Sequence, residues 1–525
     1  MKLHRDLIIF HYHLLPGGVC DVIRHSLKAF SQDPVFRTIT VVCGREENTS
    51  LILKQMKQLE ESSSGIFPQL SLTVLPALDY LRQDKQTDFS VKTLKKMLLD
   101  KFGGLESVWL IHNYHLGKNW IFTKALIELG EKNQQNMIFQ IHDFPECGRF
   151  YNLKTLKDNI AGSLYPRSAS IRYCVINKRD YNLLLQAGLD GSTVFLLENP
   201  VLKESENSQE KKSDREKLIG KLSGYAPSDG TFYKDGELWL YPVRSIRRKN
   251  ILEAGLIVKM IEKPVNLVVT LPGISSQEKN YSDITERAFA EGLIPGFWST
   301  GLLAVDSGVS YEEMIRHSDL IFSSSIQEGF GYMYLNAIVW NKPLAARYLD
   351  IMEGFLPLFE DYPCHFYDSV RIPGKKSLKE SMHNEYMERF SGVQPELPPL
   401  LKESLIEELD QFLKQDGVDF SYLTALDQYS VLQSLIKDKG YLRECRELNR
   451  KLIVSLQSLS RPEENHRENL YENYGLKSYN KSFHKILNSF TEPPAELLNQ
   501  KENGATDDFL LKSFTKLEYM RLLYK

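Results

Sequence analysis

The stretch Ser325-Ile326-Gln327-Glu328-Gly329-Phe330-Gly331 sets a carboxylate and two glycines where an apolar run gives way to helical spacing. The preceding Asp319-Leu320-Ile321-Phe322 reads as a buried parallel strand, and Tyr332 to Trp340 reads as the helix that follows. Backbone N–H groups and the dipole at the start of such a helix favour phosphate. Gly329 and Gly331 let the chain approach a ligand closely, Phe330 is better suited to packing, and Glu328 can accept hydrogen bonds from sugar hydroxyls. The purely structural alternative makes Glu328 a stabilising acid at a helix N-terminus and the glycines turn formers.

A second constellation lies upstream, where Leu238 to Val243 runs as a strand into Arg244-Ser245-Ile246-Arg247-Arg248-Lys249-Asn250, followed by an amphipathic segment to about Glu262. Cations at a strand tip suit an anion. Arg offers a planar fork for two phosphate oxygens and Lys a mobile point charge, so Arg244 and Lys249 together can neutralise a diphosphate. Arg247 and Arg248 are expected in solvent or paired with the charged linker, and not on phosphate.

An Arg and a Lys five residues apart after a strand, followed downstream by Glu-Gly-Phe-Gly, resembles the donor site of retaining glycosyltransferases of family 4. The resemblance implies a GT-B fold, an α/β architecture of two doubly wound Rossmann-like domains facing a cleft. The family pattern carries a second Glu after seven further residues, usually on the nucleotide ribose; this chain has Asn336 there, an amide able both to donate and to accept. Further matches stand in order along the N-terminal half. Asp6 to Phe10 reads as a first strand, and the loop from His11 to Val19, with Gly17 and Gly18, resembles the family's first glycine-rich loop at the donor phosphates or acceptor. Met137 to Ile141 ends at His142, which resembles the family's cleft histidine that touches the transferred sugar. Asn199-Pro200-Val201 resembles the motif closing the first domain. The implied reaction moves a sugar from a nucleotide-diphosphate donor to a hydroxyl acceptor with retention, without a metal, domain closure excluding water.

The chain has 525 residues, enough for two α/β domains with additions, and its 42% hydrophobic and 25% charged content is that of a soluble globular protein. A net charge of −3 gives no overall attraction to nucleic acid or to an anionic membrane. No apolar run reaches the ~20 residues needed to span a bilayer, and the apolar run at Leu7 to Phe10 is too short for a signal core, so a cytoplasmic location is expected. Six cysteines without CxxC spacing read as free thiols. His11 with His13, and His112 with His115, are close in sequence but lack a third ligand at a recognisable spacing, so no metal is expected. No cofactor is called for beyond the nucleotide sugar, which is a substrate.

Residues 1–201 alternate short strands with helices and are expected to form the acceptor-side domain; 202–236 read as a charged linker or insertion with a short helix. The donor-binding domain is expected over 237–465, strands ceasing at about residue 370 in favour of charged, leucine-patterned helices. Residues 466–525 read as helices crossing back to the first domain, Phe509 to Tyr524 docking there. The loop carrying Asp143, Glu146 and Arg149 suits either acceptor contact or an interdomain salt network.

The reading that follows is a glycosyltransferase, more narrowly a hexosyltransferase, with Arg244, Lys249, Glu328 and His142 at the chemistry and Gly17, Gly18, Gly329, Phe330, Gly331 and Asn336 at the donor. A noncatalytic sugar-nucleotide-binding or regulatory protein is the alternative, since it would account for Asn336. A GT-B epimerase fits the Arg-Lys and Glu-Gly-Phe-Gly pairing less well, and a phosphorylase lacks its pyridoxal lysine motif here. The acceptor class, the nucleotide base and assembly, a homo-oligomer included, are left open. Asn336→Glu is expected to change nucleotide affinity measured by calorimetry; unchanged affinity for every nucleotide would remove Asn336 from the ribose.

Overall fold

The computed structural model describes residues 5–31, 35–62, 68–81, 89–104, 106–203, 212–224, 230–302, 308–393, 397–463, 465–491 and 504–522. The chain divides into two units: Met1–Lys203 with Pro395–Pro398 and Tyr471–Lys516, and Glu204–Gln394 with Pro399–Leu470 and Leu517–Lys525.

Among the described residues of the first unit, seven strands form one parallel sheet: β1 (Arg5–Phe10), β2 (Phe36–Cys43), β3 (Gln69–Val74), β4 (Ser107–His112), β5 (Asn136–Ile141), β6 (Ile171–Val175) and β7 (Val194–Leu196). Their order is β3-β2-β1-β4-β5-β6-β7. β4 and β6 are buried along their whole length, as expected of strands covered by helices on both faces. The helix Leu476–Ser489 packs Phe483 on Phe30, with ring centroids 4.8 Å apart. The buried Arg172 guanidinium fixes its end by donating to Ser489 Oγ and to the Ser489 carbonyl, both at 2.7 Å. The helix Ala505–Phe514 docks through Asp507, whose carboxylate accepts from the Leu164 N–H at 2.9 Å.

In the second unit, β8 (Glu237–Arg244), β9 (Val265–Leu271), β10 (Gly296–Phe297), β11 (Leu320–Ser323), β12 (Leu344–Arg347) and β13 (Cys364–Tyr367) form a parallel sheet in the order β10-β9-β8-β11-β12-β13. The helix Ile251–Met260 is buried nearly all round and carries Glu253 into the core. There Arg347, at the tip of β12, donates to Glu253 at 2.7 Å and to Asp419 at 2.9 Å. Burial raises the Glu253 carboxyl above its ordinary range, and the Arg347 charge opposes that rise.

Three expectations are corrected. Strands do not cease near residue 370: β14 (Arg371–Pro373) pairs antiparallel with β15 (Gly417–Asp419), and the Arg347 bond to Asp419 ties this ribbon to the main sheet. Short strands enclosing a long helical insertion carry too few residues for their period to show. The 202–236 segment is not merely an exposed linker, since its helix Lys212–Ser223 buries Leu218 and Leu222 and sets Arg215 on Asp319 at 2.7 Å. The C-terminal helices do not all belong with the first unit: residues 517–522 sit in the second, where the Leu517 N–H donates to Glu408 and Arg521 to Ser421 Oγ. The six cysteines are free, and no helix among the described residues is long and apolar enough to cross a membrane.

Arg347→Met would strand Glu253 and Asp419 as buried acids without their cation. It is expected to cost about 3–5 kcal/mol in denaturant unfolding, and a loss below about 1 kcal/mol would show that the ribbon is held by other contacts.

Candidate functional site

In an open parallel sheet the chain runs to opposite sides on leaving two adjacent strands at one point, and the loops beyond their C-terminal ends part to leave a crevice. In the second unit that point lies between β8 and β11. β8 leads into Arg244 to Lys249, and β11 leads into Ser324 to Gly331, so topology alone brings together the two motifs singled out from sequence.

The two loops are bound to each other before any ligand is considered. The Ile326 N–H donates to the Arg248 carbonyl at 2.8 Å. Ser324 Oγ donates to the carbonyls of Lys249 and Asn250 at 3.2 and 2.9 Å. The buried Tyr241 hydroxyl donates to the Lys249 carbonyl at 2.7 Å and lies 2.8 Å from Ser325 Oγ. Asn250 takes the left-handed conformation, φ 50°, which lets the chain turn sharply into the next helix. Its carboxamide accepts from Arg247 and Gln428 and donates to Glu253.

Lys249 Nζ donates to Glu328 Oε1, and Arg248 Nη1 donates to Glu328 Oε2 at 2.8 Å. Burial alone would raise the Glu328 carboxyl, but Lys249 and Arg248 overcome it and hold the group down at about 2. Burial pulls the Lys249 ammonium down to about 8, against the stabilising charge of Glu328. The result is a carboxylate fixed in its charged form beside a cation largely stripped of water, two groups whose fields act strongly on a nearby ligand. Arg244 closes β8 and pairs with Glu278 at 3.6 Å, and its charge acts on Lys249.

Phe330 is buried against Tyr332 and Phe355, as expected for packing. Gly331 has φ +92° as the cap of helix Tyr332–Val339, and a Cβ there would come within 2.6 Å of the Tyr334 ring. Gly329 and Asn336 are half-buried.

Arg247 departs from expectation, while Arg248 is partly in solvent as expected but finds a different partner. Arg247 is buried and donates to the carbonyls of Ser421 and Leu423 at 2.6 and 3.1 Å, while Arg248 joins Glu328 instead of the linker. Neither partner of Arg247 could be inferred from a sequence separation of 174 and 176 residues. Tyr241, Asn250, Ser324 and Ser325 were not anticipated either; the serine run beside Glu328 was the available signal.

The remaining expected residues, Gly17, Gly18 and His142, belong to the first unit, whose corresponding point lies between β1 and β4. A Cβ on Gly17 would meet only the Leu15 carbonyl oxygen, at 3.9 Å, and one on Gly18 nothing within 4 Å; neither has positive φ. Chain geometry therefore does not require glycine at either position. His142 is buried, its backbone N–H donates to Asn113 Oδ1 at 2.8 Å, and its Nε2 lies 2.9 Å from His112 Nδ1. Burial lowers it to about 4, so the imidazole is neutral near pH 7. In the adjoining loop Arg149 pairs with Asp143 at 3.2 Å, but Glu146 is buried under the Tyr165 hydroxyl and raised to about 8 by burial, which removes it from the acceptor-contact loop.

No family model matches the chain. It is 30% identical over 528 residues to mannosylglucosyl-3-phosphoglycerate synthase of Petrotoga mobilis, covering 99% of both proteins. Among solved structures, HepE of Anabaena in complex with UDP-glucose is similar over 93% of this chain and 100% of its own, with a TM-score of 0.51 and 11% identity. Sucrose-phosphate synthase from Thermosynechococcus elongatus is similar over 93% and 100%, with a TM-score of 0.48 and 12% identity.

Because Glu328 is held below its ordinary value in the folded chain, its contribution to stability is complete above about pH 4.5 and is lost as pH falls toward 2. Wild-type unfolding free energy is expected to drop more steeply over that interval than that of Glu328→Gln, and parallel curves would contradict the paired carboxylate.

Proposed function

This glycosyltransferase chain belongs to the family of mannosylglucosyl-3-phosphoglycerate synthase, and we propose that it transfers a mannosyl unit from a nucleotide-diphosphate sugar to a hydroxyl of glucosyl-3-phosphoglycerate. Its fold is GT-B, two doubly wound parallel-sheet units, in keeping with the likeness to HepE. The donor class and the product are read from the relative's name together with the charge pattern at the strand crossover. The observation that carries the proposal is the Lys249 to Glu328 pair, buried where β8 and β11 part, in a chain matched end to end by that relative.

In this reading the donor diphosphate lies near Lys249, Arg244 and the N-terminus of helix Tyr332–Val339, with Glu328 and Asn336 toward hydroxyl groups. The bond from the anomeric carbon to the phosphate oxygen breaks, and negative charge grows on the departing diphosphate. Cations and N–H groups already in place stabilise that growing charge more than the charge on the intact donor, which lowers the barrier. The acceptor oxygen bonds to the anomeric carbon on the face the phosphate leaves, and its proton passes to a diphosphate oxygen. Configuration is retained, as in family 4, and the cations take the place a metal would fill. Gly17 and Gly18, which the fold itself does not need as glycine, leave room for a ligand at the first unit's crossover.

The test is incubation with mannosyl nucleotides and glucosyl-3-phosphoglycerate, followed by NMR of the product's new anomeric centre. Retained configuration is expected, undiminished by EDTA, and Arg244→Ala is expected to lower turnover by well over tenfold. Inversion, abolition by EDTA with rescue on added metal, or an unchanged rate in the variant would each overturn the corresponding part of the proposal.

A further inference from the structure

At the first unit's crossover the ends of several strands gather basic side chains around one aromatic ring. Lys118, in the loop after β4, places Nζ 5.3 Å from the centroid of the Tyr80 ring, and Arg45, after β2, places its guanidinium carbon 5.4 Å from the same centroid. His13, in the glycine-rich loop after β1, brings Nε2 to 3.0 Å from the Tyr80 hydroxyl. Arg149, in the loop after β5, acts electrostatically on Tyr80 and on Lys118. Arg45, Lys118, Tyr80, His13 and Arg149 are all half-buried, so each can still be reached by a ligand.

The cluster is built into the backbone. The buried Asn119 donates to the carbonyls of Ala77 and Asp79 at 2.9 and 2.8 Å and caps the helix Trp120–Glu131 through the Phe122 N–H. The Leu81 N–H donates to the Lys118 carbonyl at 2.9 Å. Lys118 is thus locked beside the Tyr80 loop and just ahead of a helix N-terminus, where the dipole also favours an anion. Arg45 is paired with Asp79 at 2.5 Å and Arg149 with Asp143 at 3.2 Å, but among the described residues the Lys118 ammonium has no carboxylate partner. Burial and the Arg149 charge pull its pKa down.

We propose that Lys118, with Arg45 and Arg149 around Tyr80, is the subsite that binds the anionic phosphoglyceryl group of the acceptor. This rests on the transferase reading for the name of that group, and on the Lys118 ammonium, which has no carboxylate partner among the described residues, for its charge. A phosphate or a carboxylate would supply Lys118 with a counter-ion, and the arginines can turn donors from their aspartates toward it. The subsite would select acceptors bearing this group over neutral glucosides.

The experiment is calorimetric titration of the full chain with 3-phosphoglycerate and with glucosyl-3-phosphoglycerate, using wild type, Lys118→Gln, Lys118→Arg and Arg149→Gln, each first shown to be folded by circular dichroism. Lys118→Gln is expected to weaken both ligands at least tenfold and Lys118→Arg to recover most of the loss. Competition by inorganic phosphate would assign the phosphate end and competition by glycerate the carboxylate end, either supporting the subsite. In transfer assays the Lys118→Gln effect is expected in the acceptor KM for glucosyl-3-phosphoglycerate and not for its dephosphorylated form if the phosphate end is bound. Failure of both ligands to bind wild type, or binding unaltered in Lys118→Gln and Arg149→Gln, would overturn the subsite. Lys118-dependent binding without mannosyl transfer would uphold the subsite and refute the transferase reading separately.

Discussion

A carboxylate and an ammonium, both largely removed from water, face each other where β8 and β11 part, and the second unit is arranged to keep them there. Glu328 stays charged because Lys249 and Arg248 outweigh its burial. The pair is costly unless its geometry is fixed, because desolvation is offset only by close, well-directed contacts. That fixation comes from backbone carbonyls: Tyr241, Ser324 and the Ile326 N–H hold the chain at Arg248, Lys249 and Asn250. Asn250 then links the site to Glu253, and Glu253 to the Arg347 and Asp419 network beneath. The Lys249 and Glu328 pair is therefore the outer end of a polar column running into the core, its charges already held in place.

The two units use one topological device with different chemistry. In the second, a crossover between β8 and β11 presents a carboxylate paired with an ammonium. In the first, a crossover between β1 and β4 presents neutral imidazoles, His142 against His112, and a short distance along the loops a lysine with no acid paired to it among the described residues. A paired site suits a leaving diphosphate whose charge changes during the reaction. An unpaired cation suits an acceptor group whose charge stays constant and only has to be held.

The features legible in the sequence are those whose partners are near in sequence or fixed by strand order. The strand-to-loop passages at Arg244 and at Glu328 could be read because an apolar run ends at each, and a doubly wound sheet then brings the two together. The parallel sheets followed from the alternation of short strands with helices. Arg247 could not be read, since its carbonyl partners come from Ser421 and Leu423. The β14 and β15 ribbon was hidden by brevity, and the return of Leu517 and Arg521 to the second unit by partners at Glu408 and Ser421. Basic and acidic types are visible in a sequence, but which of them neutralise one another is a property of tertiary contact. Lys118 is the clearest case, an ordinary loop lysine until its place over the Tyr80 ring, with no carboxylate partner among the described residues, is seen in three dimensions.

In the proposed reaction the Lys249 charge acts on the departing diphosphate. Single-turnover cleavage of the bound donor in the presence of saturating acceptor, for wild type and Lys249→Ala with donor Kd measured separately, tests it most directly. A chemical step slowed about tenfold to a hundredfold is expected, with a smaller change in donor Kd, since the cation is worth most when charge has developed. Equal cleavage rates, or a loss confined to Kd, would contradict it.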